Sequence, residues 1–231
     1  MTNLIGELEL TPKELEIYSN FKKIILELIN NLYEKNVLKM TVTLEEDALT
    51  ELVMKRVNLS AEVINLFDLR LRAENWNLFQ TEMRKFEFTE PHILHAYVTL
   101  LCHQILDNYE LFKKYLMMIL DKEKLSLSGK EPLGTILYKL KQNKIENRLQ
   151  ECLNLELRNS IGHGWHWVKN NEFNYISDPE LRRTKSLTFG ELLIIVRRSY
   201  LWTYCFMNTA FDRILSLRNS GNDNNSKHTI Q

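Results

Sequence analysis

The sequence predicts an all-α protein, on three observations. Two long segments, one opening at Thr89 and the other at Thr188, carry apolar residues at helical spacing throughout. Only 7 glycines and 4 prolines punctuate 231 residues, too few for the many turns of an all-β fold. Capping signatures stand where helices should begin.

Thr11-Pro12-Lys13-Glu14 is a capping box with proline at the first helical position. The helix it opens carries Tyr18, Phe21, Ile25, Leu28 and Leu32 on one face, a stripe expected to dock on its own domain. Thr43-Leu44-Glu45-Glu46 repeats the signature and starts a second helix towards Val57; Ser60 caps a third. Residues up to Lys85 read as helical but poorly periodic, with Trp76, Phe79, Phe86 and Phe88 packing on the larger C-terminal helices. Thr89-Glu90-Pro91 begins the longest helix, to Asp121, along the face Tyr97, Leu101, Ile105, Tyr109, Phe112, Leu116 and Ile119. A loop spans Lys122 to Glu131, and a short helix Pro132 to Lys141. Ile145, Leu149, Leu153, Leu157 and Ile161 then recur every four residues, predicting one helix from Lys144 to Gly162. Trp165 to Ile176 alternates apolar and polar residues around Asn170-Asn171, which predicts a small hairpin or ordered loop. Thr188 caps the last long helix, and after Leu217 a polar, turn-rich run reads as a disordered tail. The division expected is 1–88, an N-terminal helical region; 89–217, the main helical domain; and 218–231, the tail.

With 44% hydrophobic residues the chain can bury a sizeable core. Zero net charge excludes a strongly basic nucleic-acid binder, yet the charge is uneven. From Lys139 to Arg218 there are 13 Lys and Arg against 8 Asp and Glu, leaving residues 1–138 at −5. That bias suits an anionic partner at the C-terminal part. Cys102, Cys152 and Cys205 form no Cys-x-x-Cys pair and lie in apolar helical patterns, which reads as small hydrophobes in a reducing compartment. No basic start with an apolar stretch opens the chain, and the longest apolar run, Leu192 to Val196, is too short for a bilayer. The expectation is a cytoplasmic protein with no membrane partner.

Chemistry concentrates in Leu157-Arg158-Asn159-Ser160-Ile161-Gly162-His163-Gly164-Trp165-His166-Trp167. At the end of a helix this puts Asn159 and His163 on one face, Arg158 on the neighbouring one, and glycines where the helix stops. Arg and His there also complement the negative end of the helix dipole, so capping alone accounts for their types.

The Arg-Asn pair with histidine five positions after the arginine resembles the RNA-cleaving signature of the HEPN superfamily. The match falls on Arg158, Asn159 and His163 and covers about 89–217; the N-terminal third resembles no known family. The resemblance implies a four-helix bundle, here with an N-terminal helical extension and a small hairpin or loop after the motif helix. It further implies a metal-independent endoribonuclease leaving 2′,3′-cyclic phosphate, a homodimer pairing two motifs across one cleft, and a role in defence or beside an antitoxin or regulatory protein.

The residue types fit that chemistry. Histidine can take or give a proton near neutral pH, its unperturbed pKa being about 6.5. Arginine offers paired, charge-assisted hydrogen bonds to a phosphorane-like transition state. Asn159 is expected to orient His163 or hold the phosphate. His166 is expected at the substrate as an auxiliary proton shuttle or, the favoured reading, simply as a surface residue. Trp165 and Trp167 either stack bases or, the favoured reading, pack on the helices. Arg182, Arg183, Arg197 and Arg198 are candidate phosphate contacts, or solvated charges. His163-x2-His166 and His92-x2-His95 lack acidic or cysteine partners at metal-site spacing, so no metal or other cofactor is expected. His103 and Asp107, four apart, read as a local structural pair. Two rivals stand beside the enzyme: a HEPN-like module that binds nucleotide or RNA without cutting, and a helical interaction protein docking through the 18–32 stripe.

Overall fold

The computed structural model describes residues 12–41, 90–145, 148–170 and 172–226. The helices expected between Thr43 and Lys85, and the aromatic residues among them, lie outside these. The elements run α1 (Pro12–Glu34), α2 (Glu90–Ile119), α3 (Leu133–Gln142), α4 (Leu149–Cys152), α5 (Leu155–Gly162), β1 (His166–Lys169), β2 (Glu172–Asp178), β3 (Arg183–Thr188) and α6 (Phe189–Ser226).

The all-α expectation is therefore wrong: the protein is mixed α/β, dominated by helix, with a three-stranded antiparallel sheet of order β1-β2-β3. Two of its strands lie where the alternating pattern announced a hairpin. Lys169 pairs with Glu172, and Asn170, at φ 53°, begins the turn in the left-handed conformation that asparagine tolerates better than most side chains. The third strand, Arg183-Thr184-Lys185-Ser186-Leu187-Thr188, escaped because it has no apolar alternation to read. Its only apolar side chain is Leu187, set opposite the buried Phe173, and the rest of the strand is exposed.

The expected single helix from Lys144 to Gly162 is likewise two helices. The apolar period continues through the break, with Leu149, Leu153, Leu157 and Ile161 all buried. The backbone nevertheless turns at Asn154, whose side chain accepts a hydrogen bond from Leu157 N at 3.1 Å and so caps α5. Its own N–H donates to the Tyr109 hydroxyl at 2.5 Å. A side chain that offers the backbone an alternative partner interrupts a helix that periodicity alone would continue. At the other end of the chain α6 runs past Leu217 to Ser226.

Two compact units divide the chain; α1 lies in the first, and α2 and α6 each contribute residues to both. In the first (1–42, 115–152 and 204–231), Phe21, Ile24, Ile25, Leu28, Ile29 and Leu32 of α1 are buried, so the stripe from Phe21 to Leu32 is core, with Tyr18 half-buried at its start, and the reason for proposing it as a docking face is gone. There Tyr115 meets Phe211 edge-on at 6.2 Å, and Arg213 Nε donates to Asn30 Oδ1 at 3.0 Å. The second unit (43–114 and 153–203) holds α5, the sheet and the facing parts of α2 and α6. A buried polar chain ties those two helices. Gln104 donates to Asn108 Oδ1 (3.2 Å), Asn108 Nδ2 donates to Ser199 Oγ (2.8 Å), and the Thr203 hydroxyl lies 3.0 Å from the Asn108 carbonyl oxygen. Phe112 and Trp202 pack beside it, ring centroids 5.5 Å apart.

No loop separates the sheet from α6. Thr188 is the last residue of β3 and also the cap of the helix. Its hydroxyl accepts from Glu191 N, while Glu191 Oε2 accepts from Thr188 N at 2.8 Å, a reciprocal capping box.

Candidate functional site

The site is built on the C-terminal end of α5, and the local sequence dictates how that helix stops. Gly164 takes φ +69°, where its N–H reaches Ile161 O at 3.0 Å and the Trp165 N–H reaches Ser160 O at 2.8 Å. This pair of bonds is the Schellman motif, which needs a left-handed residue just past the cap. Gly162, which the sequence offered equally as a stop, is the last helical residue instead. The Ser160 hydroxyl donates to Trp165 O at 2.5 Å, and Ile176 N of β2 donates to the same carbonyl at 3.0 Å. The turn carrying His163 is thereby fixed to the sheet at one end and to the helix at the other.

His163 is the cap residue itself and is exposed, its ring stacked on Trp165 with centroids 4.6 Å apart and planes at 26°. Arg158, one turn back, is 25% exposed and held at both nitrogens of its fork. Nη2 donates to Glu110 Oε1 of α2 at 2.6 Å, and Nη1 donates to Asn159 Oδ1 at 3.3 Å. Nε is buried and has no hydrogen-bond partner. A Cβ at Gly162 would lie 3.7 Å from Nη1, which puts the guanidinium alongside the last turn of the helix. Each Nη keeps a second hydrogen, so the fork can still donate to an anion.

Glu110 is the residue that sequence reasoning missed. Its other oxygen accepts from Lys113 at 2.6 Å, so one carboxylate joins two cations. Burial works against its ionisation, but the hydrogen bonds and charges of Lys113 and Arg158 prevail and hold its pKa below the ordinary carboxylate value. Nothing in the motif signals Glu110, which lies 48 positions from Arg158.

The remaining candidates divide. His166 is half-buried, stacked on Phe173 at 5.5 Å, with Nδ1 buried and unbonded. It belongs to the packed side of β1 and not to the exposed side that carries Trp167 and Lys169. Desolvation lowers its pKa below the ordinary histidine value; the Ser160 backbone opposes this and His95 adds to it. At neutral pH that favours the uncharged ring, which brings no positive charge to an anion. Arg182 and Arg183 are exposed at the β2–β3 turn. The register brings this turn to the motif's end of the sheet: Trp165 bonds to Ile176, and Ile176 faces Thr184. Thr184 is thus about two strand spacings, or about 10 Å, from Trp165. Arg197 and Arg198 are exposed on α6, with no register to tie them to the motif. Asp107 is buried while His103 is exposed.

Cys102 and Cys205 are buried, and burial raises the Cys102 thiol to about 12, which makes it inert as a nucleophile. Cys152 is only half-buried. Among the described residues no three His, Cys, Asp or Glu side chains are grouped to hold a metal ion. Among them, too, no helix is long and apolar enough to cross a membrane.

The arrangement combines an anchored guanidinium, an amide beside it and an exposed imidazole on one short helix end. It can present positive charge to a phosphate and exchange a proton with an adjacent atom. No family model, curated protein or solved structure matches this chain.

Proposed function

We propose that this chain is a HEPN-type endoribonuclease that cleaves RNA without a metal ion. The observation that carries the reading is the rigid helix end. Arg158 is clamped with donors to spare, and His163 stands exposed on a fixed Schellman turn. The three-stranded sheet corrects the expected bundle, but all its strands lie between α5 and α6, so the motif keeps its place at a helix end.

In this mechanism the 2′-hydroxyl of the substrate attacks the adjacent phosphorus and expels the 5′-oxygen, leaving a 2′,3′-cyclic phosphate and a 5′-hydroxyl. His163 takes the 2′-hydroxyl proton or supplies one to the leaving oxygen. Arg158 stabilises charge on the non-bridging oxygens. Asn159 acts on Arg158, whose Nη1 it accepts, so its role is to orient the guanidinium and not the imidazole. A single motif offers one proton-transfer group at an exposed position, which favours a homodimer with two motifs facing one cleft. The defence or toxin–antitoxin setting, with an antitoxin or regulatory partner, follows from the family resemblance.

The test is a gel assay on unstructured RNA. Cleavage is expected to persist in excess EDTA and to fall about 10²-fold or more in Arg158→Ala and His163→Ala, both confirmed folded by circular dichroism. Full activity in His163→Ala defeats the mechanism. The engagement of Arg158 by Glu110 favours a second reading, a module that binds RNA and does not cut it; wild-type protein inactive on RNA that it binds would select that one.

A further inference from the structure

We propose that Trp165, just before β1, and the exposed side of β1 at Trp167 and Lys169 form a stacking surface for the unpaired bases of single-stranded RNA, adjoining Arg158 and His163. The inference rests on the ribonuclease reading and names the form of RNA that this site takes.

Trp165, 38% exposed, immediately precedes the first strand and Trp167, 40% exposed, lies on it; among the described residues the other edge of that strand pairs with nothing. The sequence favoured packing for both rings, and exposed indoles on an edge strand are costly unless something covers them. Residues two apart on a strand are about 6.8 Å apart, twice the 3.4 Å rise of stacked bases. Bases can therefore lie on these indoles only if they are unstacked from one another, which excludes a duplex. His163 already stacks on Trp165, so the platform and the proton-transfer group are in direct contact.

The surroundings of Trp167 are polar and fit a nucleic acid better than an apolar protein face. Across the sheet from it stand Asn174 and then Ser186, which are hydrogen-bonded to each other at 2.7 Å. Lys169 lies at one end of the row and Arg182 and Arg183 at the other, the positions a backbone running along the strand would meet; Glu172 and Glu180 are the exposed acids nearby. Sequence-tolerant stacking plus scattered cations is how proteins hold unpaired strands.

The experiment uses a fluorescein-labelled 2′-O-methyl RNA 12-mer, which lacks the nucleophile and cannot be cut, and the same strand annealed to its complement. Binding is read by anisotropy on the full chain. Trp167→Ala is expected to weaken single-strand binding about 5- to 150-fold, the range for loss of one base–aromatic stack. Trp167→Phe should stay within a few-fold of wild type, and the duplex should bind more weakly than the single strand. Trp165→Ala gives an independent second variant. On cleavable RNA, Trp167→Ala should raise KM with kcat nearly retained. Unchanged binding in Trp167→Ala, or equal affinity for duplex, overturns the platform while leaving the ribonuclease reading intact. Loss of a dimer with unchanged RNA binding would assign the face to a second copy, and also overturns it. If wild type binds the 12-mer through Trp167 but cuts no RNA, the platform stands and the nuclease reading falls.

Discussion

Glu110 ties the proposed catalytic arginine to the body of the second unit, so its charge matters more to geometry than to stability. Both members of the pair are partly exposed, and solvent screening limits the bond to under about 1 kcal/mol. Glu110→Gln is expected to shift the unfolding midpoint little, yet to lower kcat about tenfold or more, because a misplaced guanidinium loses transition-state contacts. Steady-state kinetics beside a urea titration separates the two; equal losses of stability and activity would show a merely structural role. His166 gives a pH signature. Its folded pKa is depressed, so the native state binds fewer protons than the unfolded chain as pH falls from about 6.5. Its neutral ring is accommodated above that pH, and stability is lost as pH drops through the unfolded value towards the lower native one. Urea titrations at pH 7.5 and 5.5 should show a smaller loss in His166→Phe than in wild type; parallel losses would remove His166 as the cause. Arg158, Asn159 and His163 were legible because their chemistry lies within six consecutive residues. Glu110 was not, since only tertiary folding brings α2 to that helix end.

At the level of elements, the buried chain through Asn108 is the most exacting feature of the second unit. Asn108→Ala leaves Gln104 and Ser199 short of partners in the core and is expected to destabilise by about 1–3 kcal/mol, measured by denaturant midpoint at unchanged slope. A loss well below that range would mean that water or a rearranged Ser199 replaces the amide. Helices α2, α3 and α6 were legible through their apolar period. The break at Asn154 was hidden by a period that runs straight through it. Strand β3 was hidden because backbone pairing holds it, leaving no hydrophobic pattern in its side chains.

For the whole molecule, the proposed two-motif cleft requires a second copy. Light scattering at micromolar concentration is expected to give twice the 27.5 kDa chain mass, with no change on adding EDTA. A monomer mass, with activity retained, would mean that one motif suffices. The fold class was misread for a physical reason: scarce glycine and proline exclude a protein made of sheet, but not a short meander of 23 residues, 166–188, inserted between helices.

The shared residue at the β3–α6 junction makes the sheet and the helix a single geared part. Because Thr188 both ends the strand and caps the helix, the phase of α6 about its own axis is set by the strand register. One residue added between Leu187 and Phe189 would turn the helix by about 100° and carry Leu192 and Val196 away from the core they fill. Length variation in this unit should therefore be absorbed at the exposed turn 179–182, where added residues change neither strand pairing nor helix phase.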